Sequence, residues 1–367
     1  MKCGIVGLPN VGKSTLFNCL TSSMNAEAAN YPFCTIEPNV GIVTVPDNRI
    51  DEIVKVYNPP KVVRPVIEFV DIAGLVAGAS KGEGLGNQFL SHIREVDAII
   101  HIVRCFTNDD IVHVHNKIDP KADIEIIETE LILKDLDTVE SRLAKSEKLL
   151  KSNDKKAKEE YELYVQLKKH LESGRLAKYF REEIPNTSEE KLGWIYELHL
   201  LTDKHILYVA NVDDKNINGN AYSDAVKQIA EKEEEQAIVL SVNIEAEIAQ
   251  LEEPEHSEFL KELGITEPGL NKLIHTAYDL LGLITFFTAG PKEVHGWTIK
   301  SGTKAPHAAG AIHTDFEHGF IRAEIMGCDD LVKFGSEAAV KEKGLMRMEG
   351  KDYEVRDGDV IYFRFNV

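Results

Sequence analysis

The sequence predicts an α/β fold: a mostly parallel sheet with helices on both faces, interrupted by an antiparallel helical hairpin and followed by a small α+β domain. Three observations carry that reading. Apolar, β-branched runs alternate with helical patterns through roughly the first 100 residues. A charged stretch from about residue 123 repeats apolar side chains at helical spacing, and strand-rich texture returns from about residue 284. A chain of 367 residues has room for two or three domains, at roughly 100–200 residues each.

Taken in order, residues 2–6 (KCGIV) form a short apolar strand ended by Gly7, and STLFNCL (14–20) turns helical. VGIVTV (40–45), PVIEFVD (65–71) and AIIHIV (98–103) read as strands. Ile132, Leu136, Val139, Leu143 and Leu150 are spaced 4, 3, 4 and 7 apart, which makes an apolar seam on one side of a helix. After the polar break KSNDKK (151–156), Ala157, Tyr161, Tyr164, Leu167 and Leu171 repeat it. Two such stripes joined by a short turn bury their apolar faces on each other, so a hairpin is expected, with a first arm about 40 Å long. HILYVAN (205–211) and AIVLSVN (237–243) are buried-strand runs, and 188–201 is long enough to be the crossover helix into the first. EKEEEQ (231–236) reads as a solvated helix face. From 284 the strands are ITFFTAG, VHGWTIKSG, GFIRAEI and DVIYFRFNV, with an Asp357-Gly358 turn before the last. The expected domains are 1–122 with 203–283, a helical insertion at 123–202, and 284–367.

Composition narrows the function. With 43% hydrophobic and 28% charged residues, and no apolar run near the ~18 residues a membrane span needs, a soluble cytoplasmic protein with no membrane partner is expected; the amino terminus does not read as a secretory signal. The five cysteines have no metal or disulfide spacing, so reduced thiols are expected. A net charge of −19 opposes general affinity for nucleic acid and sequence-specific DNA binding, leaving only a local basic patch for RNA. Residues 141–160, at the hairpin tip, provide one, with a balance of +3. The histidines at 295, 307, 313 and 318 lack metal-ligand spacing, so the last domain reads as a binding module.

GLPNVGKS (7–14) satisfies G-x-x-x-x-G-K-S between a strand and a helix. The glycines let backbone N–H groups of Asn10, Val11, Gly12, Lys13, Ser14 and Thr15 turn around phosphate oxygens, and the helix amino terminus adds positive potential. Lys13 then bridges the β- and γ-phosphates while Ser14 ligates Mg²⁺. DIAG (71–74) adds Asp71 for the Mg²⁺ water shell and the Gly74 N–H for the γ-phosphate. Thr35, between the two motifs, is placed to complete the metal's coordination.

Residues 116–119 spell N-K-I-D, the usual guanine-reading motif, yet only seven residues separate Val103 from Ile111. A parallel crossover needs about a dozen, so this match is read as accidental, with Asn116 and Asp119 on a loop entering the hairpin. NVDD (211–214) ends a buried strand and replaces it: Asn211 for the base, Val212 in the lysine position, and Asp214 in the fourth, which keeps GTP open as a ligand. Ser241 ends the following strand, at the last base-contacting loop.

With P-loop, Thr35, DIAGLVAGASKGEGLG and NVDD in order, a helical insertion, and FTAGPKEVHGWTIKSGTKAPHAAGAIHTDFEHGFIRAEI near the end, the chain resembles the YchF subfamily of the Obg-like translation-factor NTPases over nearly its whole length. The resemblance implies a G domain, a coiled-coil insertion and a carboxy-terminal TGS domain of β-grasp fold. It also implies ribosome binding, through rRNA or ribosomal protein, and ATP used in preference to GTP, which agrees with Val212. Leu75 stands where related NTPases keep a water-orienting glutamine, so intrinsic hydrolysis is expected to be slow. His113 is the candidate to help, and a potassium ion beside Asn10 would stand in for an arginine finger. The hairpin tip and the TGS domain are the expected ribosome contacts. A small-molecule P-loop kinase and an RNA-binding adaptor with little turnover are the competing classes; neither an arginine-bearing lid nor an acceptor pocket can be pointed to for the first.

Overall fold

The computed structural model describes residues 1–22, 39–72, 85–108, 117–150, 154–184, 187–251 and 254–366. The chain runs β1 (Lys2–Val6), α1 (Lys13–Ser22), β2 (Val40–Thr44), α2 (Asn48–Tyr57), β3 (Val62–Val63), β4 (Val66–Asp71), α3 (Leu85–Glu95) and β5 (Ala98–Arg104). Next come α4 (Pro120–Leu149), α5 (Lys155–Glu172), α6 (Ala177–Glu183), α7 (Glu189–Tyr196), β6 (Ile206–Asn211), α8 (Ala221–Lys232), β7 (Gln236–Leu240) and α9 (Val242–Ile248). The remainder is α10 (Glu255–Glu262), α11 (Gly269–Leu280), β8 (Leu283–Ala289), β9 (Val294–Lys300), α12 (Ala305–Ile312), α13 (Thr314–His318), β10 (Phe320–Gly327), α14 (Cys328–Phe334), α15 (Glu337–Glu342), β11 (Arg347–Glu349) and β12 (Asp359–Phe365).

The first sheet has the order β2-β4-β1-β5-β6-β7. β5 pairs in parallel with β1 and β6, and β6 with β7, so that Val6, His101 and Tyr208 lie side by side. Every residue of β5 and β6 is buried, as strands covered by helices on both faces require. The crossover from β5 to β6 differs from expectation. The first half of α4 buries Ile124, Ile127 and Leu131 and packs on β5 and α8, so α4 is the crossover. The stretch 188–201 does not supply it, because Trp194 and Ile195 of α7 are committed to the hairpin core.

That core joins Ile132 and Val139 of α4 to Leu163, Tyr164, Leu167 and Leu171 of α5. The two stripes do not cover each other alone, since Phe180 of α6 and Trp194 of α7 belong to the same cluster. Asp135 is fully buried and accepts from the Leu201 and Thr202 backbone N–H groups, both at 2.8 Å, fixing where the chain leaves the insertion for β6. The run 231–236 also differs from expectation. Glu235 is almost completely buried and pairs with Lys178 at 2.9 Å, while Glu233 accepts from the Tyr208 hydroxyl at 2.8 Å. Two carboxylates of an apparently solvated helix face therefore turn inward.

The second sheet has the order β11-β10-β12-β8-β9-β3. β10 pairs antiparallel with β11 and β12, and β8 with β9, whereas β12–β8 and β3–β9 are parallel. Phe286 and Phe287, neighbours on β8, point to opposite faces and enter separate cores: Phe286 with Ile325, Ile361 and Phe363, Phe287 with Ile50, Ile53, Val294 and Leu331.

The chain divides into two compact units, one dominated by Met1–Cys19 and Phe69–Ile265, the other by Ile42–Glu68 and Thr266–Val367. This grouping departs from the expected boundaries of 1–122 with 203–283, 123–202, and 284–367. Residues 42–68 join the carboxy-terminal part because α2 and β3 complete its core and sheet. Gly296 permits the contact: a Cβ there would meet Pro65 Cδ at 2.8 Å. Among the described residues, no helix is long and apolar enough to cross a membrane.

Candidate functional site

The loop between β1 and α1 takes its shape from two left-handed positions, Asn10 at φ 63° and Gly12 at φ 99°. Asparagine tolerates that region better than most residues and glycine enters it freely. Gly7 has a different constraint, since a Cβ there would lie 2.7 Å from the Ile102 carbonyl oxygen on β5. The Leu16 N–H donates to the Gly12 oxygen at 2.9 Å, so the helix begins as the loop closes and its first N–H groups face the loop. Such a cradle suits a phosphate. Ser14 and Thr15 are exposed at its mouth, whereas Val11 and Lys13 are buried. The Lys13 ammonium is ion-paired with the Asp71 carboxylate at the end of β4.

Asn211, at the end of β6 and 4% exposed, joins this loop to the next. Its Nδ2 donates to the Val11 oxygen at 2.9 Å and its Oδ1 accepts from the Val242 N–H at 3.0 Å. Gly12 is required again, because a Cβ there would be 2.6 Å from that Nδ2. Val212 is buried and its N–H donates to the Leu240 oxygen at 3.0 Å. Asp214 is exposed, and its Oδ1 accepts from the Ser241 hydroxyl at 2.7 Å. The Ser241 oxygen in turn accepts from the Ile244 N–H at 3.3 Å, capping α9. The structure thus brings together residues 10–15, Asp71, Asn211, Val212, Asp214 and Ser241.

The N-K-I-D stretch has another role. Asp119 caps α4 by accepting from the Ala122 N–H at 3.3 Å, with Pro120 in the first turn, and Lys117 lies 3.5 Å from the same Asp119 carboxylate. Asn116 lies outside the described residues, as do Thr35, Gly74, Leu75 and His113.

Two residues of the site were not singled out from sequence. Asn220 caps α8 and donates from Nδ2 to the Cys105 oxygen at 2.7 Å, tying the loop after Asn211 back to β5. Arg104, buried and in register with Asn211, donates to the Phe106 and Asn108 oxygens at 3.2 and 3.1 Å. Asn220 and Ser223 form a capping box, a signal that can be read locally; no local pattern marks Arg104. Burial pushes the Cys3 and Cys105 thiols up to about 12, which keeps them protonated and without nucleophilic character at neutral pH.

The Ser14 hydroxyl and the Asp71 carboxylate are hard oxygen donors at the open side of the cradle. That donor set fits Mg²⁺, which takes few protein ligands and completes its shell with phosphate oxygens and water.

Residues 2–165 match a family profile described as 50S ribosome-binding GTPase. Residues 283–366 match the carboxy-terminal profile of YchF GTPases, described as a protein of unknown function. The ribosome-binding ATPase YchF of Haemophilus ducreyi is 54% identical over 366 residues, covering 100% of this chain and 99% of that one. Its namesake in Bacillus subtilis is 54% identical over 370 residues, covering 100% of both. Among solved structures, the Schizosaccharomyces pombe YchF GTPase superposes with a TM-score of 0.87 at 38% identity, covering 99% of this chain and 97% of that one.

Proposed function

The chain belongs to the YchF family, and from that premise we propose that it is a cytoplasmic, nucleotide-dependent switch that hydrolyses ATP, takes GTP as its weaker nucleotide, and binds the ribosome. The observation that carries the reading is Asn211, one buried amide bonded to both the Val11 and Val242 backbones, so that phosphate loop and base loop move as one body. Val212 is buried and apolar where a guanine-selective site would offer a lysine stem and charge. Asp214 keeps its carboxylate, engaged by Ser241, and its competence to pair with guanine leaves GTP open as the weaker nucleotide.

The mechanism follows from charge placement. Backbone N–H groups of residues 10–15 receive the phosphate oxygens, and the α1 amino terminus adds its dipole. Lys13, now paired with Asp71, shares its ammonium between that carboxylate and the β- and γ-phosphates. Ser14, Thr35 and Asp71 would hold Mg²⁺, which would supply charge neutralisation at the phosphates. The Gly74 N–H reports the γ-phosphate. With Leu75 unable to hold a water, His113 orients the attacking one, and Asn10 would hold a potassium ion, which would supply positive charge beside the phosphates. The hairpin and the carboxy-terminal domain supply the ribosome contacts.

A calorimetric titration with ATP and GTP at equal Mg²⁺ tests the nucleotide assignment: tighter ATP binding is expected, and tighter GTP binding refutes it. Lys13→Ala should reduce hydrolysis by about 100-fold, the scale of losing one transition-state charge contact, with some loss of melting temperature because Asp71 is left without its ion-pair partner.

A further inference from the structure

We propose that a basic groove where α3, the second half of α4 and the residues just after α7 meet, away from the nucleotide site and short of the turn between α4 and α5, receives the phosphate backbone of RNA. The proposal rests on the ribosome-binding reading and names the surface and chemistry of that contact.

The cavity is about 350 Å³ and is lined by Arg94, Lys134, Arg142 and Lys145 against two carboxylates, Asp137 and Glu197. In a chain of net charge −19, a concave surface with twice as many cations as anions runs against the whole-molecule field and focuses a local positive potential. Both carboxylates are already engaged, Asp137 with Lys134 at 3.6 Å and Glu197 with Arg142 at 3.0 Å. Arg94 donates to the Thr138 hydroxyl at 3.0 Å. Neither Arg94 nor Lys145 has a carboxylate at ion-pair distance among the described residues, and both are exposed. Lys134, Thr138, Ser141 and Lys145 follow one another at spacings of four, three and four. They form one face of α4 about 16 Å long, enough to follow several nucleotides.

The tip also carries cations, and some of them are offset in the fold. Lys156 pairs with Glu190 of α7, Lys155 with Glu159 at 3.7 Å, and Lys158 with Glu162 at 4.0 Å. Three of its lysines are therefore partly offset, as Lys134 and Arg142 are in the groove, where Arg142 also meets Glu160 at 3.4 Å; Arg94 and Lys145 are the groove cations that no carboxylate offsets among the described residues. A phosphate backbone fits better than an acidic protein segment, because the lining is almost wholly polar, with Leu198 its one apolar residue; it offers little to the apolar side chains that anchor protein interfaces.

The test compares wild-type protein, Arg94→Gln with Lys145→Gln, the charge-keeping pair Arg94→Lys with Lys145→Arg, and the tip pair Lys155→Gln with Lys156→Gln. Lys145→Gln alone guards against a folding defect in the double variant, and melting temperatures are checked throughout. Each is measured by co-sedimentation with purified ribosomes and by filter binding to protein-free ribosomal RNA over a salt series. The groove pair should bind both about ten-fold more weakly, with a log–log salt slope shallower by about 1.5, the value for two lost phosphate contacts. Lys145→Gln should lose about half of that slope change, and the charge-keeping and tip pairs should stay near wild type. Unaltered binding by the groove pair, loss by the tip pair alone, or a ribosome defect in the groove pair when wild type ignores free RNA overturns the proposal while leaving ribosome binding intact. Wild type that sediments with no ribosomes refutes ribosome binding itself.

Discussion

Asn211 shows how much one side chain can decide. Its two bonds reach the Val11 and Val242 backbones, and the glycine at 12 exists partly to let it approach. Asn211→Ala leaves two buried backbone groups without their partner, a cost of about 2 kcal/mol in stability. If phosphate and base loops depend on that link, nucleotide affinity should also fall, by about ten-fold per 1.4 kcal/mol lost. Calorimetry checks this, and wild-type affinity in the variant would contradict the proposed role. At this scale the G-x-x-x-x-G-K-S loop was legible because its constraints lie within eight neighbouring residues. Asn211 was legible only through the order of strands, and its grip on Val11 was not legible at all. Arg104 escaped notice because its partners, the carbonyls of Phe106 and Asn108, are backbone groups that leave no mark on residue identity.

Among the elements, α4 does two jobs along 30 residues. Its amino-terminal half is the crossover on the parallel sheet, and its remainder is the first arm of the hairpin. Apolar periodicity reports that a helix buries a face but not what covers it, so the pattern at 188–201 suits a crossover equally well until the hairpin core claims Trp194 and Ile195. The junction has a consequence for pH. Glu128 of α4 and Glu233 at the end of α8 flank the Tyr208 hydroxyl at 3.2 and 2.8 Å. Burial first, and then the Glu233 carboxylate, raise Glu128 to about 8. The folded state therefore holds a proton that the unfolded chain releases near the ordinary carboxylate value. Stability from this group is intact at pH below about 4.5 and falls as pH rises toward 8. In Glu128→Gln the fall in melting temperature between about pH 5 and pH 8 should shrink by roughly 3 °C, the scale of about 1 kcal/mol in a unit of this size. Equal slopes in variant and wild type would rule the site out.

For the whole molecule, the unexpected feature is that residues 42–68 fold with the carboxy-terminal sheet. Ile50 and Ile53 are fully buried beside Phe287 and Val294, and β3 adds the edge strand beyond β9. A fragment of residues 266–367 lacks that cover. It should bind a hydrophobic dye and show poorly dispersed amide resonances, and residues 42–68 joined through a flexible linker should restore a cooperative melt. A sharp two-state transition in the bare fragment would contradict the shared core.

The sequence by itself determined the central strands of both sheets, the phosphate loop with its helix and the hairpin's existence, since each depends on periodicity or on contacts within a few turns of chain. Only the tertiary structure decided that Asn211 holds Val11 from 200 residues away, that β3 belongs to the second sheet, and that Glu233 and Glu235 face inward. Those outcomes are selected by burial against distant partners, and an isolated stretch carries the same residues whichever partner eventually covers it.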